Sequence, residues 1–174
     1  MSDPTSTLED IRDIFSILHD GTISTWTGDK NLLILKVRCE YLAERIDKSY
    51  KSFYIECRQI EKLEFHPWMN PAELPQTLLT DIEDIFKADL EILSADLENE
   101  FVKITCNQHL TKIDYCGGTI LLNCKTIAIF DQAKRQLSID DLDKICKGYW
   151  DNFSQKVEQS IHDKKKLYPR QNKL

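Results

Sequence analysis

The sequence predicts an α+β fold: a mainly antiparallel β-sheet built from two related helix-plus-three-strand units, with a C-terminal helix packed on it. Three observations carry this expectation. Leu8-Glu9-Asp10-Ile11-Arg12-Asp13-Ile14-Phe15 returns as Leu79-Thr80-Asp81-Ile82-Glu83-Asp84-Ile85-Phe86, with six of eight positions identical. Cys39 and Cys57 stand 18 residues apart, and so do Cys106 and Cys124. Downstream of each helical motif, apolar residues alternate with polar ones, the period of a strand with one face buried.

Ser6 followed by Glu9 has the spacing of a capping box, and Leu8, Ile11, Phe15 and Leu18 fall on one helical face. A helix is expected over Thr7–Leu18, stopped at His19-Asp20-Gly21 by a left-handed Gly21. Thr22–Trp26 reads as a strand and Thr27–Asn31 as a turn. Leu33, Leu35, Val37 and Cys39 share one strand face. Tyr41–Ile46 reads as a loop or one helical turn. A third strand carries Phe53, Ile55 and Cys57, then changes phase at Arg58-Gln59 and resumes through Ile60, Leu63 and Phe65, the mark of a bulge or bend. The proline-rich connection His66–Pro75 is expected to be a loop.

The second unit repeats this order. Leu78–Phe86 is expected to be helical, Leu90 and Ile92 open a strand, and Asp96–Asn99 turn the chain. Val102, Ile104 and Cys106 match Leu35, Val37 and Cys39 at an offset of 67, against 71 at the helices. The first unit thus carries four more residues, placed near Ser16–Asp20. Tyr115–Gly118 is expected to turn into a last strand, where Ile120, Leu122 and Cys124 change phase at Lys125-Thr126 before Ile127 and Ile129. Ser138 and Asp141 signal a helix over 138–160, with Leu142, Ile145, Cys146, Tyr149, Phe153 and Val157 as its apolar stripe. Gly148 is expected to allow close packing on the sheet. The boundaries are one domain over 1–163, the repeat at 8–66 and 79–131, and a basic flexible tail at 164–174.

The net charge is −6. Lys164, Lys165, Lys166, Arg170 and Lys173 supply five positive charges without an acid, so residues 1–163 carry −6 − 5 = −11. An acidic body argues against nucleic-acid binding and suits a basic protein partner drawn in electrostatically. No stretch approaches the ~20 apolar residues of a membrane helix. Met1-Ser2-Asp3-Pro4 has no signal-peptide pattern, and six cysteines without one suit a reducing cytoplasm.

Chemistry is sparse. The four matched cysteines lie on apolar strand faces, where a thiol packs as a small hydrophobe. Cys106, His109 and Cys116 lie in and beside one connection, a spacing without the close pairing of structural zinc. His19-Asp20 is either a base with its carboxylate or a helix-end turn in which Asp20 satisfies backbone amides. Nucleotide, hydrolase and metalloprotease motifs are missing. No catalytic residue, metal ligand or cofactor is assigned. Trp68, Tyr149 and Trp150 are candidate contact residues, because Trp and Tyr concentrate at interface hot spots. The full candidate set for a partner or ligand is His19, Asp20, Trp68, Tyr149 and Trp150.

Phe15 through Ile23, with His19-Asp20-Gly21-Thr22-Ile23 before a hairpin, resembles uncharacterised bacterial domain families that begin with a similar His-Asp-Gly segment, including immunity-type proteins of toxin systems. The Tyr149-Trp150 pair fits the same picture. The resemblance implies a bacterial, cytoplasmic, non-enzymatic interaction module that neutralises a partner protein. The alternative is a small-molecule-binding protein or enzyme with its site between the two halves. A self-associating homo-oligomer is a third expectation.

Overall fold

A computed structural model of the chain describes residues 6–167. Helix α1 spans Leu8–Ile17. Its capping box pairs Thr7 with Asp10, one residue later than the expected Ser6 and Glu9. Ser6 is engaged elsewhere: its N–H donates to Lys125 O at 2.9 Å and its hydroxyl accepts the Ile127 N–H at 2.9 Å. Ile11, Ile14, Phe15 and Leu18 are all buried to within 1%. Each such side chain contributes roughly 1.5–3 kcal/mol on leaving water.

The strands are β1 (Thr22–Gly28), β2 (Leu32–Arg38) and β3 (Ser52–Met69), then β4 (Leu90–Leu97), β5 (Val102–Asn107), β6 (Tyr115–Phe130) and the short β7 (Gln136–Leu137). One-turn helices α2 (Glu40–Ala43) and α3 (Ile82–Ile85) precede β3 and β4, and α4 runs Ile139–Leu167. The sheet order is β3-β2-β1-β4-β5-β6-β7, every described pairing is antiparallel, and β3 also pairs with β6. The six main strands therefore close on themselves. Among the described residues no helix is long and apolar enough to cross a membrane.

The β2–β3 and β5–β6 hairpins share register. Leu35↔Ile55 through Arg38↔Ser52 become Val102↔Leu122 through Thr105↔Thr119 when both partners are displaced by 67. Each first hairpin carries one bulge, between Ile23 and Thr25 and between Ile92 and Ser94. The long strands β3 and β6 lie side by side from Tyr54↔Phe130 to Met69↔Tyr115. Each serves both halves, so each must bend. In β3, Gln59 takes φ 50° and the ladder slips between Ile60 and Lys62. Gln59 and Ile60 donate their amides to Asn31 and Lys30 carbonyls. In β6 the buried positions change phase between Cys124 and Ile129. Cys57 and Cys124 meet in the core, where the neighbouring thiol first and burial second hold the Cys57 pKa well above its ordinary value.

Five expectations are corrected. The second helix is not a full copy: Leu79 is extended and bonds Phe65 through both backbone groups, so the turn starts only at its cap, Asp81. Residues 66–69 belong to β3, with Pro67 opposite Gly118 at a place where no ladder bond needs a proline amide. Tyr115–Gly118 is strand rather than turn, because β5 pairs with Gly117 and Gly118 while β3 pairs with Tyr115 and Gly118 from the other side; Gly118 lies so close to Phe65 that a Cβ would be 2.5 Å from its ring. Helix α4 packs mainly on α1 and α2 rather than on the sheet, and Gly148 faces Arg45. Finally, α4 is longer than expected: residues 164–167 are helical, and the rest of the expected flexible tail, 168–174, lies outside the described residues.

Candidate functional site

The His19-Asp20-Gly21 segment splices α1 into the sheet. Asp20 takes φ 63°, so the left-handed residue is Asp20 rather than Gly21. Its N–H donates to Ile92 O, and Ile92 N–H donates to Gly21 O, both at 2.8 Å. Gly21 is required for space: a Cβ there would lie 2.8 Å from Leu18 O and 2.9 Å from a Val37 methyl. The Asp20 carboxylate makes no bond to a described backbone amide. It is 59% exposed and lies 3.9 Å from His19 Nε2.

His19 is held from three sides. Its Nδ1 lies 2.9 Å from Ser16 O, which fixes the proton on that nitrogen, and its own carbonyl accepts the Tyr41 hydroxyl at 2.8 Å. Its ring stacks on Trp150, with centroids 5.9 Å apart and planes 9° from parallel. Tyr149 packs on Trp150 and Tyr41 at 5.1 and 4.7 Å, and Phe153 extends the group at 5.8 Å from Trp150. Burial, then the adjacent Cys39, raises the Tyr41 pKa, so its hydroxyl stays a donor. The fold thus brings four of the five candidate residues, His19, Asp20, Tyr149 and Trp150, to one corner. Trp68 is apart: it sits on β3 over Gly117, half exposed, and shares none of these ring contacts.

Sequence reasoning assigned Phe153 and Val157 to a covered stripe and gave Tyr41 no role. On α4 every residue from Asp151 to Ile161 is exposed. Trp150, Phe153, Val157 and Ile161 are 39–49% exposed, and their spacing puts them on one face. A long helix with a continuous apolar stripe was the available signal; which part of it the barrel covers was not.

A second feature is an acidic groove of about 740 Å³ between the β1–β2 turn and β3. Glu61, Glu64 and Glu100 line it, with Lys30 and Lys62. It adjoins a hollow of about 560 Å³ that shares Lys30 and Thr80 and adds Asp29, Asp81 and Glu83. Lys62 is committed to Glu64 at 3.0 Å; that bond first, then His66, lowers the Glu64 pKa.

Cys106, His109 and Cys116 do not converge. Cys106 is wholly buried, and burial pushes its thiol pKa up to about 12. Cys116 is exposed with its sulfur 3.6 Å from Trp68 O, and His109 pairs with Glu91 at 2.8 Å. Among the described residues no group of three or more His, Cys, Asp or Glu is placed to hold a metal ion. Comparison with protein-family models, curated proteins and solved structures gives no match.

Proposed function

We propose that this chain is a non-catalytic protein-interaction module of the bacterial cytoplasm, of the immunity type, and that its partner is a basic protein. The observation that carries the reading is the exposed face of α4. Large apolar side chains left half in water on one helix face, next to a rigid His-Trp-Tyr corner, have the composition of an interface centre. The acidic groove and the charge of −11 on residues 1–163 favour a basic partner and a fast, salt-sensitive encounter. We also read the two units as a doubled ancestral segment, supported by the common register of their second hairpins and by the palindromic strand order.

The test is calorimetric titration of the purified chain with the protein encoded by the adjacent gene. Binding is expected at micromolar concentration or tighter. Trp150→Ala combined with Phe153→Ala should weaken it by roughly a hundredfold, and Trp68→Ala by less than about threefold. No heat of binding at micromolar concentration, or a loss carried by Trp68 instead, overturns the proposal.

A further inference from the structure

Strand β1 is paired along its whole length on one side only. Toward β2 the ladder runs from Thr22↔Arg38 to Gly28↔Leu33, whereas toward β4 it holds only Thr22↔Glu91 and Ile23↔Leu90. The bulge between Ile23 and Thr25 sits where β1 parts from β4. Antiparallel ladders alternate bonded and unbonded pairs, and the bond from Asp29 N–H to Leu32 O that closes the hairpin sets the phase. Thr27 and Thr25 therefore bond Ile34 and Lys36, and the backbone groups of Trp26 and Gly28 point away from β2. Among the described residues no strand pairs with them from that side and no loop amide or carbonyl bonds to them. Such an edge is a template for a further strand, and Thr22–Gly28 carries neither the charge nor the proline that commonly blocks one. On β4 the outcome differs: α1 packs there, and Ser16 Oγ donates to Ala95 O at 3.2 Å. Helix α3 has only one turn, and the hollow of about 560 Å³ remains between it and β1.

We infer that the open edge of β1 takes up an extended basic segment of the protein partner as an added strand. The backbone of that segment pairs with Trp26 and Gly28, and alternate side chains fall on one face, where arginines or lysines meet the walls of the hollow. Those walls carry Asp29, Asp81 and Glu83 against one cation, Lys30. None of the three carboxylates is ion-paired among the described residues, and Asp29 and Asp81 accept only backbone amides. The adjoining groove adds Glu61, Glu64 and Glu100. This charge selects the occupant: a second copy of the chain would bring the same carboxylates face to face, whereas a basic segment neutralises them. The inference rests on the reading that the partner is a basic protein, and it adds a contact on a different element from α4.

The test uses the full chain and a capped seven-residue peptide of alternating threonine and arginine. In amide NMR titration the peptide should shift Trp26, Thr27 and Gly28 with a Kd on the order of 100 μM, and slow hydrogen exchange at the Trp26 amide. Two further peptides carry N-methyl groups, one on every threonine amide and one on every arginine amide. A strand turns these two sets of amides to opposite sides, so one peptide should lose at least about tenfold in affinity and the other less than about threefold. Asp81→Asn with Glu83→Gln should weaken binding roughly fivefold at low salt; asparagine can keep the cap on α3, so the urea midpoint should match the parent chain. Four results overturn the inference: no shift along β1, equal binding when glutamate replaces arginine, an equal response to both methylated peptides, or a peptide-free chain that dimerises with its Trp26 amide already protected. Trp150→Ala with Phe153→Ala should leave peptide binding unchanged. A silent peptide beside a partner protein that still binds through α4 removes the edge alone, and a peptide that binds beside a silent partner protein removes the α4 reading alone.

Discussion

Gly21 shows how one residue can decide a junction. Its neighbours leave no room for a methyl group, and its carbonyl holds Ile92. Gly21→Ala should therefore destabilise the chain by about 2 kcal/mol or more, measured as a lower urea midpoint at unchanged slope. The buried thiols make a second residue-scale prediction. Burial raises the pKa of Cys39 and Cys106 from 9.0 to about 12. The unfolded chain loses these protons first, so their contribution to stability is complete below pH 9 and is lost as pH climbs toward 12. Stability should fall by up to ~1.4 kcal/mol per pH unit per thiol in that window. Urea melts of Cys39→Ala and Cys106→Ala between pH 8 and pH 11 should each show a shallower decline than the parent chain. The inward placement of both thiols was legible from strand alternation alone. The left-handed Asp20 was not, because it answers to the Ile92 carbonyl on a strand 72 residues away.

At the scale of elements, α1 and α3 begin from nearly the same sequence and end differently. The α1 motif reaches a full helix because Thr7 caps it and its apolar face lands on β4, β5 and α4. In the second unit the backbone of Leu79 is taken by Phe65, and only one turn remains. Competition for backbone groups thus overrides a closely similar local propensity. Helix α4 gives the test at this scale. A Cβ on Gly148 would meet only the Arg45 guanidinium at 3.7 Å, an ordinary contact. Gly148→Ala should stabilise the chain by about 1 kcal/mol, read as a raised urea midpoint, since alanine loses less backbone entropy in a helix.

For the whole molecule, the long β3–β6 ladder is the seam on which closure depends, and it joins one half to the other. In either half alone the long strand keeps its hairpin partner, β2 or β5, but loses the β3–β6 ladder, so each half would expose an apolar sheet face and an open edge. Residues 1–70 and 71–174, expressed separately, should lack the near-ultraviolet dichroism of the intact chain; mixing them should restore it. A half that folds alone would remove the seam from this role. The charge also belongs to this scale: acids spread along the sequence become a groove only when the β1–β2 turn, β3 and the loop before β5 are drawn together.

The sequence by itself determined the antiparallel α+β class, the order of the main strands and helices, and which strand faces are buried. These follow from periodicity and capping, which act between residues a few positions apart. It also contained the helical stripe and the His-Asp-Gly corner that now meet at Trp150. Only the tertiary structure decided that the sheet closes, that β3 runs through Pro67, that α3 stops at one turn and that the Tyr115 hydroxyl meets no hydrogen-bond partner among the described residues. Each of these depends on which distant backbone or side chain arrives to fill a valence or a volume, and nothing in the local pattern specifies that.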